Sequence, residues 1–226
     1  MVTPLQSPLH DAFQHEHPRA AWCEVHGMSV ALCLDDPGKE TQLAQTLSLA
    51  DASFLPRIVL KGPGAAYLQS FGIPIPETIL KVAPLENGGL IARTGGSEFF
   101  LESGPVGWPS QAVRDGLGSS SFKEGVYPVL RQDASLIISG SRSGEMFRHV
   151  SSYDFIGEIH NDIVFTPVAG VSCSVLRTEL NGIPVFRLWT DGTYGLYIWH
   201  TLLEVAKELG GGAVGAAVFY SGLLTP

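Results

Sequence analysis

The same pair of turn signals occurs twice along this chain. Asn-Gly, Asp-Gly and Gly-Gly between apolar runs are typical of tight hairpin turns. The first pair is Asn87-Gly88 and Gly95-Gly96, and the second pair, 94 and 96 residues later, is Asn181-Gly182 and Asp191-Gly192. This spacing indicates an internal duplication of one structural unit, which constrains the fold more than any other feature of the sequence.

Each copy has the pattern of a strand, a helix and a hairpin. In the first copy the predicted elements are a strand at Arg57–Lys61, a helix from Pro63 to Gly72, and strands at Thr78–Leu85, Leu90–Arg93 and Glu98–Glu102. In the second they are a strand at Ser135–Ser139, a helix after Gly140, an apolar run Ile163–Leu180, and a strand Tyr194–Trp199 that corresponds to Glu98–Glu102. Alternating apolar residues and glycine-rich turns favour antiparallel pairing of these strands.

The remaining segments connect or flank the two copies. Ala21–Leu34 is predicted as a broken strand or hairpin, followed by a helix that Asp36 caps and that runs towards Asp51. Gly104–Gly125 is interpreted as a connector with a short helix at Ser110–Asp115. A last helix is predicted to begin with a capping box of Thr201 and Glu204 and to end at Gly210.

Helix-faced antiparallel sheets built from βαβ-plus-hairpin units are α+β arrangements of the ferredoxin-like type. The predicted organisation is an N-terminal segment and helix at 1–52, a first unit with its connector at 53–125, and a second unit with the closing helix at 126–226.

Composition excludes several classes of function. A net charge of −8 provides no basic surface for nucleic acid. No apolar run approaches the roughly 20 residues of a spanning helix, and Met1–Arg19 lacks the order of a signal peptide, so a soluble cytoplasmic protein without a membrane partner is expected. Charged residues are only 16% of the chain, which leaves the surface short of charge.

The cysteines and histidines of this sequence are side chains that could bind a transition metal. Cys23, Cys33 and Cys173 form no C-x-x-C pair, so reduced thiols are expected, and Cys173 is interpreted as a core thiol rather than a nucleophile. Four histidines lie close together near the N-terminus: His10, His15, His17 and His26. A solvated arm is favoured over a metal site there, and no metal ligand is assigned.

The sequence contains no G-x-S-x-G, P-loop, H-E-x-x-H or dinucleotide motif, so no catalytic residue is assigned. Lys61, Gly62 and Gly64 form a turn whose amide groups at a helix start are suited to an anion. The same turn also has the composition of one that simply starts a helix.

Asp191 has two interpretations. It lies in a predicted turn between Trp189 and Tyr194, where a carboxylate walled by aromatic rings suits a flat heterocycle with N–H donors. Asp-Gly is also the common composition of a hairpin turn, with no ligand involved.

Several of these motifs resemble a known family. F-L-P-R-I-V-L-K-G-P-G-A-A-Y-L-Q-S-F at Phe54–Phe71, E-N-G-G at Glu86–Gly89 and T-D-G-T-Y-G-L-Y at Thr190–Tyr197 are similar to segments of the folate-binding aminomethyltransferases, the glycine-cleavage T-proteins. The resemblance implies the first two domains of that fold and aligns Asp191 with an acidic residue that holds the pterin ring. Leu90–Arg93 stands where T-proteins carry a catalytic aspartate pair, and Gly195 replaces a second acid.

The γ subunits of heterotetrameric sarcosine oxidases show a closer resemblance. The similar features are the F-G-x-x-x-P sequence at Phe71–Pro76, the S-G-x-R sequence at Ser139–Arg142, and the Y-x-L-x-x-W progression at Tyr194–Trp199. This resemblance implies a non-catalytic subunit or folate-type binding module of one-carbon or amine metabolism, with the oxidoreductase chemistry on larger subunits.

The resemblance leaves other functions open. One is a stand-alone, reduced aminomethyltransferase-like enzyme that uses Asp191, and another is a structural partner whose ancestral pocket is filled by Trp189, Tyr194 and Trp199. Tetrahydrofolate is the one cofactor that the resemblance implies. The expected partners are larger sarcosine oxidase-like subunits or a second copy of the chain.

Overall fold

The computed structural model describes residues 4–118, 122, 124–156 and 161–224. It is a mixed α+β structure, as predicted. Its described α-helices are α1 (His10–Glu16), α2 (Pro37–Thr46), α3 (Gly64–Gln69), α4 (Gln111–Gly118), α5 (Ser143–Val150) and α6 (Gly195–Glu208). None of the helices in these residues is long and apolar enough to cross a membrane.

The strands of the described chain form three sheets. The first six are β1 (Leu5–Gln6), β2 (Ala21–Val25), β3 (Met28–Cys33), β4 (Ser48–Asp51), β5 (Arg57–Lys61) and β6 (Val82–Pro84). The others are β7 (Leu90–Gly95), β8 (Glu98–Glu102), β9 (Tyr127–Leu130), β10 (Asp133–Ser139), β11 (Ile163–Val168), β12 (Val171–Leu180), β13 (Ile183–Asp191) and β14 (Gly212–Ala213). Most neighbours pair antiparallel, while β1 with β3 and β14 with β4 pair parallel.

The chain divides into two compact units. The first unit comprises Met1–Phe54, Asp133–His160 and Val164–Pro226. It contains a six-stranded sheet in the order β11-β12-β13-β10-β4-β14 and a small sheet in the order β1-β3-β2. One face of the large sheet packs against helices in a core that includes Leu136, Leu188 and Trp199.

The second unit comprises Leu55–Gln132 and Asn161–Ile163. Its sheet has the order β6-β7-β8-β5-β9. Ile58, Leu60 and Leu101 from the sheet form its core with Leu68 of α3 and Val113 of α4.

The two sheets show an internal duplication, but the predicted correspondence of the turns is wrong. The Asn181-Gly182 turn between β12 and β13 corresponds to the Gly95-Gly96 turn between β7 and β8, and β13 corresponds to Glu98–Glu102. The order β6-β7-β8-β5-β9 corresponds strand for strand to β11-β12-β13-β10-β4. In both, a strand is followed by a helix and then by a hairpin that returns beside that strand. The difference is the fifth strand of this order. β9 follows its unit in the chain, whereas β4 comes from the N-terminal segment and has β14 on its other side.

The predicted hairpin turn at Asn181-Gly182 is confirmed, because both residues adopt the left-handed backbone that a tight turn needs. Asn181 and Gly182 have φ values of 51° and 80° between β12 and β13. Glycine and asparagine tolerate this left-handed region best. The predicted hairpin turn at Asp191-Gly192 is wrong, because a 3-10 turn follows Asp191. The strands Arg57–Lys61 and Glu98–Glu102 have the predicted bounds.

The predicted strand Tyr194–Trp199 is wrong, because α6 begins at Gly195. Asp191 ends β13 and caps a 3-10 turn, Gly192–Tyr194, that leads directly into the helix. The predicted capping box is therefore wrong too: Thr201 lies inside the helix and its hydroxyl donates to the Tyr197 carbonyl at 2.9 Å. Buried residues at 198, 199, 202, 203 and 206 follow the helical period from the first turn onward.

The N-terminal histidine segment is an ordered helix rather than a solvated arm. In α1, His10 and Phe13 are buried, and the ring of Phe13 lies 4.8 Å from that of Trp199. The helix after Asp36 is shorter than predicted, because α2 ends at Thr46 and Ser48 begins β4. Asp36 caps α2 as predicted, accepting from the Lys39 backbone N–H at 2.8 Å.

The predicted Gly104–Gly125 connector contains α4, close to the expected short helix. Residues 119–121 and 123 of this connector lie outside the described residues.

Candidate functional site

Trp189 and Asp191 lie on one face of β13, since they are two residues apart and side chains alternate along a strand. The neighbouring strand β10 places Ser135 opposite Trp189 and Asp133 opposite Asp191. Arg187 precedes Trp189 by two residues on the same face. These five residues, Asp133, Ser135, Arg187, Trp189 and Asp191, are called the Trp189 face below.

The Trp189 face is distinct from the helical core of the same sheet. Leu188 points the opposite way and packs in the core that contains Trp199. Trp189 and Trp199 therefore lie on opposite sides of the sheet. Tyr194 is 51% exposed, so these three aromatic rings do not close together over Asp191.

Asp191 is exposed and acts as a helix cap. Its Oδ1 accepts the Thr193 backbone N–H at 2.9 Å and the Thr193 hydroxyl at 2.6 Å. Asp191 is therefore a turn residue, and its carboxylate is also exposed, as binding of a ligand requires.

Arg187 and Trp189 form the buried part of this face. They are 2% and 3% exposed, and the guanidinium carbon of Arg187 lies 5.5 Å from the centre of the Trp189 ring. A guanidinium over an indole face is a favourable cation–π contact. Ser135, 1% exposed, has a side-chain oxygen with no hydrogen-bond partner among the described residues.

Asp133, Ser135 and Arg187 were missed in the sequence reasoning. The available signal for Arg187 was its position, because a charged residue two places from Trp189 in an apolar strand shares its face. Asp133 and Ser135 gave no such signal. Their place beside β13 depends on a pairing between residues more than 50 positions apart.

Polar groups of the turn at Lys61 bond to neighbouring atoms of the protein. The Lys61 ammonium lies 3.2 Å from Glu98 Oε2, and the backbone N–H groups of Gly62 and Gly64 donate to carbonyls at 2.9 and 2.7 Å. At Gly62, with φ of +94°, a Cβ would lie 1.9 Å from the Gly125 carbonyl oxygen. These bonds use the backbone N–H groups of Gly62 and Gly64, and close approach of the Gly125 backbone explains the glycine at position 62. The anion site at this turn stays a prediction.

Thiols and histidines in the described chain do not assemble into a metal or nucleophile site. No group of three or more His, Cys, Asp or Glu side chains among the described residues is placed to hold a metal. Burial raises the pKa of the Cys173 thiol, which keeps it protonated at neutral pH. His10 packs against Trp22 with ring centres 4.8 Å apart.

A cavity of about 840 Å³ opens elsewhere in the first unit. Its walls come from α2, from the first turns of α5 and from the β12–β13 hairpin. The residues at the hairpin end are Gly182–Phe186, and Arg148 and Arg177 contribute guanidinium groups. Asp191 lies at the opposite end of β13 and is not part of its lining.

The solved structures that are similar to this chain include two enzymes. The glycine cleavage system aminomethyltransferase T from Bartonella henselae matches with a TM-score of 0.73 and 16% identity, over 95% of this chain and 60% of that chain. A chain of the heterotetrameric sarcosine oxidase from Corynebacterium sp. U-96, solved with pyrrole 2-carboxylate, matches with a TM-score of 0.59 and 16% identity, over 77% of this chain and 93% of that one.

These matches confirm the predicted aminomethyltransferase fold. The chain spans 60% of the length of the Bartonella henselae enzyme. No protein-family profile and no curated protein matches the sequence. The finer resemblance to sarcosine oxidase γ subunits stays a prediction.

Proposed function

We propose that this chain is a subunit of a larger amine-metabolising enzyme and binds a folate-type ring beside Asp191. The observation that carries the proposal is the position of the exposed Asp191 carboxylate at the end of the Trp189 face. The aminomethyltransferase fold supports the same choice, because the sequence resemblance aligns Asp191 with the acid that holds the pterin ring in that family.

The chemistry of the Trp189 face suits such a ring. A pterin presents N–H groups along one edge, and a carboxylate is the acceptor that binds them most strongly. Tyr194 is 51% exposed one short turn after Asp191 and offers an aromatic surface. Trp189 and Arg187 form a rigid base beneath the carboxylate, since both are buried and in contact.

Titration calorimetry with folinic acid tests the ligand. Asp191→Asn removes the charge, but its amide oxygen can still accept the bonds from Thr193, so the cap is retained. We expect the unmodified chain to bind and the variant to lose affinity by about tenfold, as for one charge-assisted hydrogen bond. Asp115→Asn, an exposed aspartate of α4, is the matched control and should bind normally.

No heat with millimolar folinic acid, or equal affinity for the chain and Asp191→Asn, would remove the ligand proposal. Thermal unfolding of the variant shows whether the cap survives. A lowered Tm together with lost binding would assign Asp191 to the turn alone.

Surface composition supports the assembly part of the proposal. Three large apolar side chains beside the Asp191 turn are exposed: Tyr194, Leu196 and Tyr197, at 51%, 44% and 53%. Only 16% of the chain is charged, and interface centres are depleted in Lys, Glu and Asp. The similar chain in the Corynebacterium enzyme belongs to a heterotetramer.

Purification of a tagged chain from its native source, followed by native mass spectrometry, tests this assembly. We expect a complex with larger chains, and Leu196→Asp should release the tagged chain while Glu204→Gln on the same helix should not. A monodisperse monomer in the native extract would contradict the subunit proposal. Turnover of sarcosine by the isolated chain would instead favour a stand-alone enzyme.

A further inference from the structure

We infer that the cavity between α2, α5 and the β12–β13 hairpin is a second binding site, for an aryl carboxylate. It is separate from the Trp189 face. Ile183 lines the cavity at the start of β13, and Asp191 ends the strand eight residues later, about 26 Å away at ~3.3 Å per residue.

Two aromatic side chains of the described chain line the cavity. Phe155 and Phe186 line it, with ring centres 5.7 Å apart in an edge-to-face arrangement. Phe147 packs behind both, at 4.5 and 4.7 Å. Aromatic rings in this arrangement suit a planar apolar group, and a volume of about 840 Å³ lies in the range of small-molecule sites.

Among the described residues that line the cavity, arginines outnumber carboxylates. Arg148 and Arg177 line it, and the one carboxylate of this set, Glu145, accepts from both Arg142 Nε and Nη2 at 2.8 Å. The hydrogen bonds from Arg142 lower the pKa of Glu145 and neutralise its charge locally. Arg148 forms no ion pair with any residue that the structure describes.

Both arginines line the cavity together with Ile156. Arg177 Nη1 reaches the Ile156 carbonyl at 3.5 Å, and its guanidinium carbon lies 5.7 Å from the Phe186 ring centre. Arg148 lies one helical turn after Gly144, where a Cβ would approach the Ile156 side chain at 3.0 Å. Guanidinium groups bind carboxylates in a bidentate manner, so this rim is suited to the acidic end of such a ligand.

Hydrogen bonds hold the cavity walls in place. The Ser141 backbone N–H donates to the Gln45 carbonyl, and the Arg142 backbone N–H donates to the Thr46 carbonyl, both at 2.9 Å. These are the last two carbonyls of α2. Arg142 Nη1 also donates to the Leu209 carbonyl at 2.6 Å. The cavity is therefore formed before any ligand binds, which lowers the cost of binding.

Calorimetric titration with 2-naphthylacetate and its neutral counterpart 2-naphthylacetamide tests this site. The two probes share the apolar body, so a difference between them reports the charge. We expect the carboxylate to bind about tenfold more tightly than the amide, with the difference shrinking as salt rises. Arg148→Gln and Arg177→Gln should each remove most of this difference, while Arg114→Gln, on a helix of the second unit, should not.

Gln45→Trp provides a variant that does not depend on charge. Gln45 is exposed on α2 and lines the cavity. The hydrogen bond that Gln45 makes to Ser141 uses its backbone carbonyl, so a change of side chain leaves that bond in place. A large side chain at this position should therefore fill the cavity without disturbing the core. Both probes should lose binding in this variant. Asp191→Asn should bind both normally, which separates this inference from the folate proposal.

Equal affinities for the two probes would overturn the inference. So would unchanged binding in both arginine variants or in Gln45→Trp, and so would no detectable binding of either probe at several millimolar.

Discussion

Glu40 Oε2 accepts the backbone N–H of Gly215 at 2.8 Å, although the two residues are far apart in the chain. Its other oxygen accepts the N–H groups of Leu34 and Asp35 at 2.7 and 2.9 Å and the Cys33 thiol at 3.3 Å. The side chain is 3% exposed. One buried carboxylate thus joins the first turn of α2 to the end of β3 and to the 3-10 turn after Gly215.

Replacing Glu40 should destabilise the first unit. Glu40→Gln puts an NH₂ group where an acceptor is needed, so at least one buried backbone N–H loses its partner. We expect the free energy of unfolding to fall by about 2–3 kcal/mol, measured by urea denaturation. Glu204→Gln, exposed on α6, should change it by less than about 0.5 kcal/mol. Equal effects of the two substitutions would show that the Glu40 bonds contribute nothing.

Cys33 should be unreactive at neutral pH. Burial, together with the hydrogen bond to Glu40, raises the pKa of its thiol from 9.0 to about 11. Because the folded-state value is the higher one, the neutral thiol stabilises the fold below about pH 9, and this contribution is lost as pH rises towards 11.

Alkylation by iodoacetamide at pH 8, followed for each cysteine by peptide mass spectrometry, measures this. Cys33 should react far more slowly in the folded chain than in urea, and faster in Glu40→Gln than in the unmodified chain. Equal rates for Cys33 in the folded and the urea-unfolded chain would contradict a raised pKa.

Two ion pairs at opposite ends of the β5–β8 pairing should differ in their effect on stability. Arg57 Nη1 lies 3.1 Å from Glu102 Oε2 with both side chains buried, while Lys61 and Glu98 are paired at 3.2 Å with both side chains exposed. Removing one partner of a buried pair leaves an uncompensated charge and costs about 3–5 kcal/mol. An exposed pair contributes about 0–1 kcal/mol.

Urea denaturation of Arg57→Met and Lys61→Met measures the difference on the same two strands. The double variant Arg57→Met with Glu102→Leu should recover part of the loss, because no charge is then left buried. If Lys61→Met cost as much as Arg57→Met, burial would not be the cause.

Much of the fold followed from turn chemistry. The strands around Asn181-Gly182 were predictable because the glycine and asparagine there specify both the turn and the register of the hairpin. The same holds for Arg57–Lys61, whose β-rich run ends at a glycine of positive φ. In these places local conformational preference and tertiary structure agree.

Other elements depend on contacts that no local pattern displays. Tyr194–Trp199 is too short an apolar run to distinguish a strand from the first turn of a helix, and packing of Trp199 in the core decides for α6. The place of β4 between β10 and β14 is set by pairings over long sequence separations.

Of the two candidate sites, only the one at Asp191 could be predicted from the sequence. Asp191 and Trp189 were found because they lie close together in one strand. The cavity at Arg148 and Arg177 was not predictable, because its walls come from separate segments of the chain that only the fold brings together.

Gly140, between β10 and α5, should be among the least replaceable glycines of the chain. Its φ is +102°, and a Cβ there would lie 2.3 and 2.4 Å from the carbonyl atoms of Thr46 and 2.6 Å from the Leu47 nitrogen. All three are backbone atoms, so the end of α2 would have to move. That movement would break the bonds from Ser141 and Arg142 to α2.

Gly27 is the matched control for Gly140. It has a φ of +76° in the β2–β3 turn, but a Cβ there meets nothing within 4 Å. Gly27→Ala should therefore cost only the backbone strain, about 1–2 kcal/mol. Gly140→Ala adds overpacking to that strain and should cost about 3–4 kcal/mol in total. Urea denaturation of both variants measures the difference, and equal losses would mean that α2 and α5 separate without cost.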